Sequence, residues 1–285
     1  MAKHRRKSHH TGWIALLLLT AGLLALRWGN TSVQTEEFTF VSERLSAGFD
    51  GFRAAILTDL HGQEFGKDNE TLLAAVRAQS PDAIFLIGDL VDEGTEDAAD
   101  YAAHLGAALS DLAPTYYVTG NHEWACGTSQ VEAIKTILSD VGVCVLSNEF
   151  VFLERGGDSI VLAGIDDPNG YAEQKTPETL AAEVYAAYGD PFWVLLAHRN
   201  DRFAPQYSLL GADLTISGHG HGGCIRLPFT DGLLGTQHDL FPSHTAGFYE
   251  ENGADVFVSR GLGNVGRSFR VFNRPQLAVI TFERG

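Results

Sequence analysis

The sequence predicts an α/β fold preceded by one membrane-spanning helix. Three observations carry that expectation. Short apolar runs with no polar alternation alternate with helix-periodic segments, the pattern of strands buried on both faces. Five short strings rich in Asp, His, Asn and Gly follow such runs directly, at the strand ends where open α/β sheets place their sites. A third run, Ile14 to Leu26, is apolar apart from Thr20 and is flanked by Trp13 and Trp28.

Taken in order, the N-terminal segment comes first. Thr11 to Trp28 spans 18 residues, about 27 Å as a helix, enough to cross a hydrocarbon core. It follows Lys3, Arg5, Arg6 and Lys7, and the tryptophans sit where interfacial aromatics belong. A cleaved signal peptide shares the basic start, but Ala25-Leu26-Arg27-Trp28 is a poor small-x-small site, which favours an uncleaved anchor. The basic tip then stays in the cytoplasm and the body lies outside, in a single-pass arrangement. Residues 1–30 form this tip and anchor, 31–50 a juxtamembrane link and first strand around Phe38 to Val41, and 51–285 one large domain.

In the body, Phe52–Thr58, Ala83–Ile87, Thr115–Val118, Val143–Leu146, Ser159–Gly164, Phe192–Ala197 and Leu214–Ser217 read as strands. Thr71–Ser80, Asp97–Leu109, Ser129–Ser139 and Pro177–Tyr188 carry apolar residues at helical spacing, the first stopping at Pro81. Leu227 to Asn252, rich in Gly, Pro, His and aromatics, reads as a long loop before the strands Asp255–Ser259 and Gln276–Phe282. The order is therefore βαβα early and all-β late.

Charge narrows the function. The chain carries −16 overall, but residues 1–30 hold five basic groups and no acid, leaving −21 on the rest. Such a body repels polyanions, so no nucleic acid partner is expected. Three cysteines with no C-x-x-C spacing form no disulfide framework.

The strings are Asp59-Leu60-His61, Gly88-Asp89, Gly120-Asn121-His122-Glu123, Ala197-His198 and Gly218-His219-Gly220-His221. Asp59 and His61, two apart at a strand end, point the same way and can grip one cation. Asp89 has two oxygens and can bridge two. Asn121 offers a neutral oxygen, and His122 beside it is free to move protons. Taken singly, each of these is as well explained by a turn or cap, and a lone His198 by a core hydrogen bond. His219 and His221 among four glycines are harder to explain without a metal. The five together make a metal pair the better reading.

In this order the strings resemble the signature of the calcineurin-like metallophosphoesterases, over roughly residues 50 to 283. Val258-Ser259-Arg260-Gly261-Leu262-Gly263 is similar to a subgroup of single-pass bacterial enzymes related to UDP-2,3-diacylglucosamine diphosphatases. The resemblance implies a four-layer αββα sandwich of two mixed sheets and two divalent ions, with Mn, Fe and Zn all suiting the ligands. Asp59, His61, Asp89 and His221 would take the first ion, and Asp89, Asn121, His198 and His219 the second. His122 would be the general acid, beside a hydroxide bridging the ions and attacking phosphorus. The expected reaction is hydrolysis of a small-molecule or lipid-linked phosphoester or pyrophosphate at the outer face of the cell membrane; the alternative is a catalytically silent binding module of the same fold.

Three departures from the family pattern stand out. Glu123 replaces a frequent Asp, with orientation of a histidine or a solvated charge as its expected job. His198-Arg199-Asn200-Asp201 lacks the usual proline, and Asp92-Glu93-Gly94 lacks the arginine of the protein serine/threonine phosphatases, which disfavours that branch. Arg199 and Arg260 are the substrate-binding candidates, and Asn148, Asp166 and Asp167 softer ones. His238 and His244 read as solvent-exposed. Phe229, Leu233, Leu234, Phe241, Phe248 and Tyr249 form either an apolar lid or a satellite cluster.

Overall fold

The computed structural model describes residues 9–227, 231–235, 239–266 and 268–285, with side chains described from residue 12 onward. The basic tip through Lys7, and Phe229 and His238, lie outside the described residues.

Two six-stranded mixed sheets pack face to face. The first sheet is ordered β1 (Gln34–Ser42), β12 (Gln276–Arg284), β2 (Phe52–Leu57), β3 (Ala83–Ile87), β4 (Thr115–Val118) and β5 (Cys144–Val145). The second is ordered β10 (Gly247–Glu251), β11 (Ala254–Val258), β9 (Leu214–Gly218), β8 (Trp193–Arg199), β7 (Asp158–Ile165) and β6 (Glu149–Arg155). Strands β2 to β5 run parallel, as do β7, β8, β9 and β11, so their C-terminal ends gather along one edge of each sheet.

The unbroken apolar runs explain the layering, because alternate residues serve two cores. Phe85 and Ile87 of β3 face Leu196 and Ile216 of the other sheet. Ile84 and Leu86 face Leu72 and Val76 of α2 (Glu70–Ala78), Leu105 of α3 (Ala98–Ser110) and Ile134 of α5 (Thr128–Asp140). On the far side Val161, Trp193 and Leu195 pack under Leu180 and Val184 of α6 (Pro177–Tyr188). Thr176 caps α6, its hydroxyl accepting from Thr179 N at 3.2 Å, with Pro177 in the first turn. The result is the αββα sandwich that the sequence led us to expect.

Differences from the expected elements have local causes. Strand β6 was not assigned although it carries the apolar run Phe150 to Leu153, and half-exposed β10 carries no such run. Strand β1 is an integral edge strand paired in parallel with β12, so part of the expected link belongs to the sheet. Phe248 and Tyr249, assigned above to the long loop, sit on β10. Phe248 packs against Phe38, Phe40 and Phe257, which makes it core and not lid. His244 is not solvent-exposed: it pairs with Glu251 at 3.2 Å and packs edge-on against Tyr249. The three cysteines are free.

The first helix, α1 (His9–Thr31), stands off the body, and its segment Gly12–Thr31 is long and apolar enough to cross a membrane, with none of it buried.

Candidate metal centre

All seven expected ligands lie at the edge where β2, β3, β4, β8 and β9 end. The chain reverses sharply there: Asp59, His61, Asp89, His219 and His221 all have φ between 47° and 66°, in the left-handed region. That conformation costs a non-glycine residue of the order of 1–3 kcal/mol and is retained where a site requires it. Gly88 (φ 68°) admits the approach of a neighbouring strand end, since a Cβ there would lie 2.6 Å from Gly120 and 2.8 Å from the His198 ring.

Two groups of ligand atoms form. In the first, His61 Nε2 lies 3.2 Å from His221 Nε2, which lies 3.3 Å from Asp59 Oδ1. Donors at zinc-like bond lengths around one tetrahedral ion stand roughly 3.3 Å apart, so these residues fit a common cation. In the second, His198 Nε2 lies 3.1 Å from Asp89 Oδ2, with His219 completing the group. The same Asp89 Oδ2 lies 3.8 Å from His61 Nε2, so one carboxylate oxygen faces both groups, as a bridging ligand must.

Orphaned polar atoms make a second test of fit. Asn121 Oδ1, His198 Nε2 and His219 Nε2 are buried and have no hydrogen-bond partner among the described residues. Leaving such atoms unpaired costs about 1–3 kcal/mol each. His198 Nδ1 lies 2.9 Å from the Ile87 carbonyl, to which only a ring N–H can donate. A neutral ring would present the Nε2 lone pair to the lone pairs of Asp89 Oδ2, so either a proton on Nε2 or a cation lies between them.

Electrostatics agree. Burial pushes Asp59 up, and Asp89 adds to that. Burial opposes charging His198, yet Asp89 and Asp59 outweigh it and hold the ring at about 10. A positive charge is thus favoured there, and a proton or a cation can supply it. His219 is pushed down to about 3 by burial and by the His198 charge, and His221 well below its ordinary value by burial, His61 and Arg270. Neutral histidines facing carboxylates are the chemistry of a divalent-cation site.

The surroundings hold the ligands in place. His219 N donates to both Asp59 oxygens at 3.0 and 3.2 Å, and His122 N to Asp89 Oδ1 at 2.8 Å. His122 lies in the first turn of the short helix α4 (Asn121–Ala125) and stands half-buried, its ring 4.7 Å from that of His61. Glu123 is buried and orients no histidine. Its carboxylate accepts from Asp89 N (3.0 Å), Gly120 N (2.8 Å), Leu90 N (2.5 Å) and Val91 N (3.2 Å). Burial and nearby Asp89 push it up to about 7.

The softer candidates separate. Arg199 gives Nε and Nη2 to Asp201 at 2.9 and 2.7 Å, so that edge of the guanidinium is already committed. Arg260 is turned to Glu36 of β1 at 2.8 Å. Asp166 is a structural node, accepting from Thr119 (2.7 Å), Lys135 (2.9 Å), Ser147 and Asn148. Asp167 Oδ2 is buried without a partner among the described residues. A cavity of about 270 Å³ opens beside His219, lined by Asn200, Asp201, Asp239 and His244. A larger one of about 500 Å³ opens beside His61 and is walled by Glu64, Asp68, Glu96 and Asp97.

Two participants escaped the sequence reading. Asp92 Oδ2 lies 3.6 Å behind His61 Nδ1. Buried Arg270 has its Nη2 3.1 Å from His221 Nδ1 and donates to the His221 carbonyl at 3.3 Å. Asp92 sits in the Asp-Glu-Gly triplet, whose only signal in the sequence was its missing arginine; Arg270 lies 49 residues from His221, with no local signal.

Comparison with known proteins accords with this geometry. The family model described as calcineurin-like phosphoesterase matches residues 52–223. The metallophosphoesterase YkuE of Bacillus subtilis is 26% identical over 262 residues, covering 88% of this chain and 86% of its own. Phosphodiesterase YaeI of Escherichia coli is 26% identical over 254 residues, covering 85% and 87%. The solved structure of the sulfate thiohydrolase SoxB of Thermus thermophilus is similar in fold alone, with TM-score 0.50 and 13% identity over 74% of this chain and 52% of that one. The chain belongs to the calcineurin-like phosphoesterase family and is a metal-dependent phosphoesterase, a hydrolase of phosphoric ester bonds.

Proposed function

We propose that this protein holds two divalent cations, one on Asp59, His61, Asp89 and His221 and one on Asp89, Asn121, His198 and His219, and that it hydrolyses a phosphoester or pyrophosphate bond of a lipid-linked substrate at the outer face of a membrane. The observation that carries the reading is the set of orphaned donors, Asn121 Oδ1, His198 Nε2 and His219 Nε2, beside the paired Nε2 atoms of His61 and His221. When bound, the two ions supply Lewis acidity toward a phosphoryl oxygen and a water acidic enough to attack phosphorus. The chain does the rest. Asp89 sets the spacing of the two positions, and His219 N pins Asp59. Half-buried His122, beside the first position, donates a proton to the leaving oxygen.

The membrane part rests on α1. Its exposed leucines, with Trp13 and Trp28 near the ends, suit lipid. Phe272, 79% exposed, lines a cavity of about 460 Å³ together with Ala25, Trp28, Gly29 and Val271, so apolar body surface stands beside the helix. Lys3, Arg5, Arg6 and Lys7 before the apolar run, against Arg27 alone directly after it, favour a cytoplasmic N-terminus.

The test uses the full chain in detergent, stripped with chelator and titrated with Mn²⁺, then offered a soluble monoester, a soluble diester and a lipid pyrophosphate. Two ions per chain, and turnover fastest on the lipid substrate, are expected. Fewer than two ions would overturn the two-cation site, and equal turnover on all three the lipid preference.

A further inference from the structure

We infer that Asn30 and Arg270 form a positioning relay by which the end of α1 sets the ligand geometry at the Asp59–His61–His221 position. The inference rests on the two-cation reading above and extends it to residues that touch no cation themselves.

Arg270 is the centre of the relay. It is 2% exposed and has no carboxylate partner among the described residues. Burying a cation this way is costly unless its donors are satisfied. They are satisfied by the loops that carry the ligands. Nη2 donates to Gly263 O (2.7 Å) and lies 3.1 Å from His221 Nδ1; Nη1 donates to Arg260 O (2.8 Å) and His221 O (3.3 Å); Nε donates to Gly263 O (3.2 Å). With Nε2 turned toward Asp59 and His61 to face a cation, a neutral His221 carries its proton on Nδ1, so Arg270 holds this turn through the His221 carbonyl and not through the ring. Gly263 in turn donates to Asp59 O at 2.6 Å, and Leu262 to Thr58 O at 3.0 Å. One side chain therefore ties the Asp59 turn to the His221 turn.

Asn30, in the last turn of α1, holds Arg270 from behind. Its Oδ1 accepts from Arg270 N at 2.6 Å and its Nδ2 donates to Arg270 O at 2.9 Å. The Asn30 carbonyl also accepts from Gln63 Nε2 at 3.0 Å, two residues beyond His61. The helix end thus reaches the turns that carry His61 and His221, each through one intermediary. Arg274 gives an internal control. It docks the same helix, donating to Ser32 Oγ (3.0 Å) and Val33 O (3.1 Å) and lying 4.2 Å over the Trp28 ring, and it makes no contact with His221 among the described residues.

Mn²⁺ titration calorimetry, with metal content after desalting, of the full chain in detergent tests the relay. Wild type, Asn30→Ala, Arg270→Met and Arg274→Ala are compared, each first checked for a cooperative melt. Loss of a residue behind a ligand typically costs about 10–100-fold in metal affinity. Asn30→Ala and Arg270→Met should weaken one of the two binding events by that factor and leave the other within about threefold, while Arg274→Ala should titrate like wild type. Should Arg270→Met not fold, Asn30→Ala decides alone, because Asn30 lies at a helix end outside the three cores. Wild-type behaviour in Asn30→Ala, or equal weakening in Arg274→Ala, would overturn the relay. A wild type that binds fewer than two ions would instead remove the site on which the relay acts.

Discussion

Glu123→Gln tests whether the Asp89 turn is built by a buried carboxylate. In the native structure four backbone N–H groups, those of Asp89, Leu90, Val91 and Gly120, donate to its two oxygens, two to each. An amide has one oxygen, so in either orientation its NH₂ faces two N–H groups. Each buried donor left without a partner costs about 1–3 kcal/mol, a loss of roughly 2–6 kcal/mol. Repulsion between Glu123 and Asp89 opposes this, and removing a negative charge relieves it. Four directed hydrogen bonds outweigh that relief above pH 7, where the carboxyl is ionised and its bonds are about twice as strong as neutral ones, so the melts are compared there. Against a total stability of about 5–15 kcal/mol, the loss is large. Calorimetric melting of the full chain should show a fall on the order of 10 °C. Metal content after desalting should fall as well, since Asp89 faces both ligand groups. A variant that melts at or above the wild-type temperature with its metals retained would refute the reasoning and mean that charge repulsion at Glu123 outweighs its hydrogen bonds.

Further outcomes follow from the same geometry. His122→Asn should keep both ions by metal analysis and lose about 10²–10⁴-fold in turnover, the usual value of a general acid; unchanged turnover would remove that role. Chelation should lower the melting temperature, since ions bound only to the folded state at a hundredfold excess over their dissociation constant contribute about 2.7 kcal/mol per site. An unaltered melt after verified metal removal would argue against a centre that stabilises the fold. Gly88→Ala should lower both stability and metal content, because its Cβ would meet Gly120 at 2.6 Å in a left-handed backbone. Lys135→Met should cost about 3–5 kcal/mol by leaving buried Asp166 without its cation, yet leave metal stoichiometry unchanged.

What the sequence revealed and what it hid divide along a physical line. Strands such as Ala83–Ile87 were legible because burial on both faces leaves no polar residue, and the candidate ligands because five such strings recur together at strand ends. Strand β10 was not, since Gly247–Glu251 carries neither a pure apolar run nor strict alternation, whereas β6 does carry a run, Phe150 to Leu153. Phe248 looked like loop because Gly and Pro surround it, yet packing against Phe40 and Phe257 outweighs local composition.

The supports behind the ligands were the least legible part, for a reason that bears on how the centre works. A ligand's identity is dictated by the cation it must face, whereas its support is dictated by whichever backbone happens to lie behind it. Glu123 serves four N–H groups that meet only after β3 and β4 pair, and Arg270 serves carbonyls of two loops, those after β9 and β11, that meet only once those two strands pair. These are tertiary adjacencies with no period or spacing to betray them. They also carry the strain of five left-handed residues in three turns, each residue costing on the order of 1–3 kcal/mol. A turn held in that conformation by buried, charge-assisted hydrogen bonds keeps its side chains gathered by itself, so a cation taken up there would bind without a further cost of ordering them.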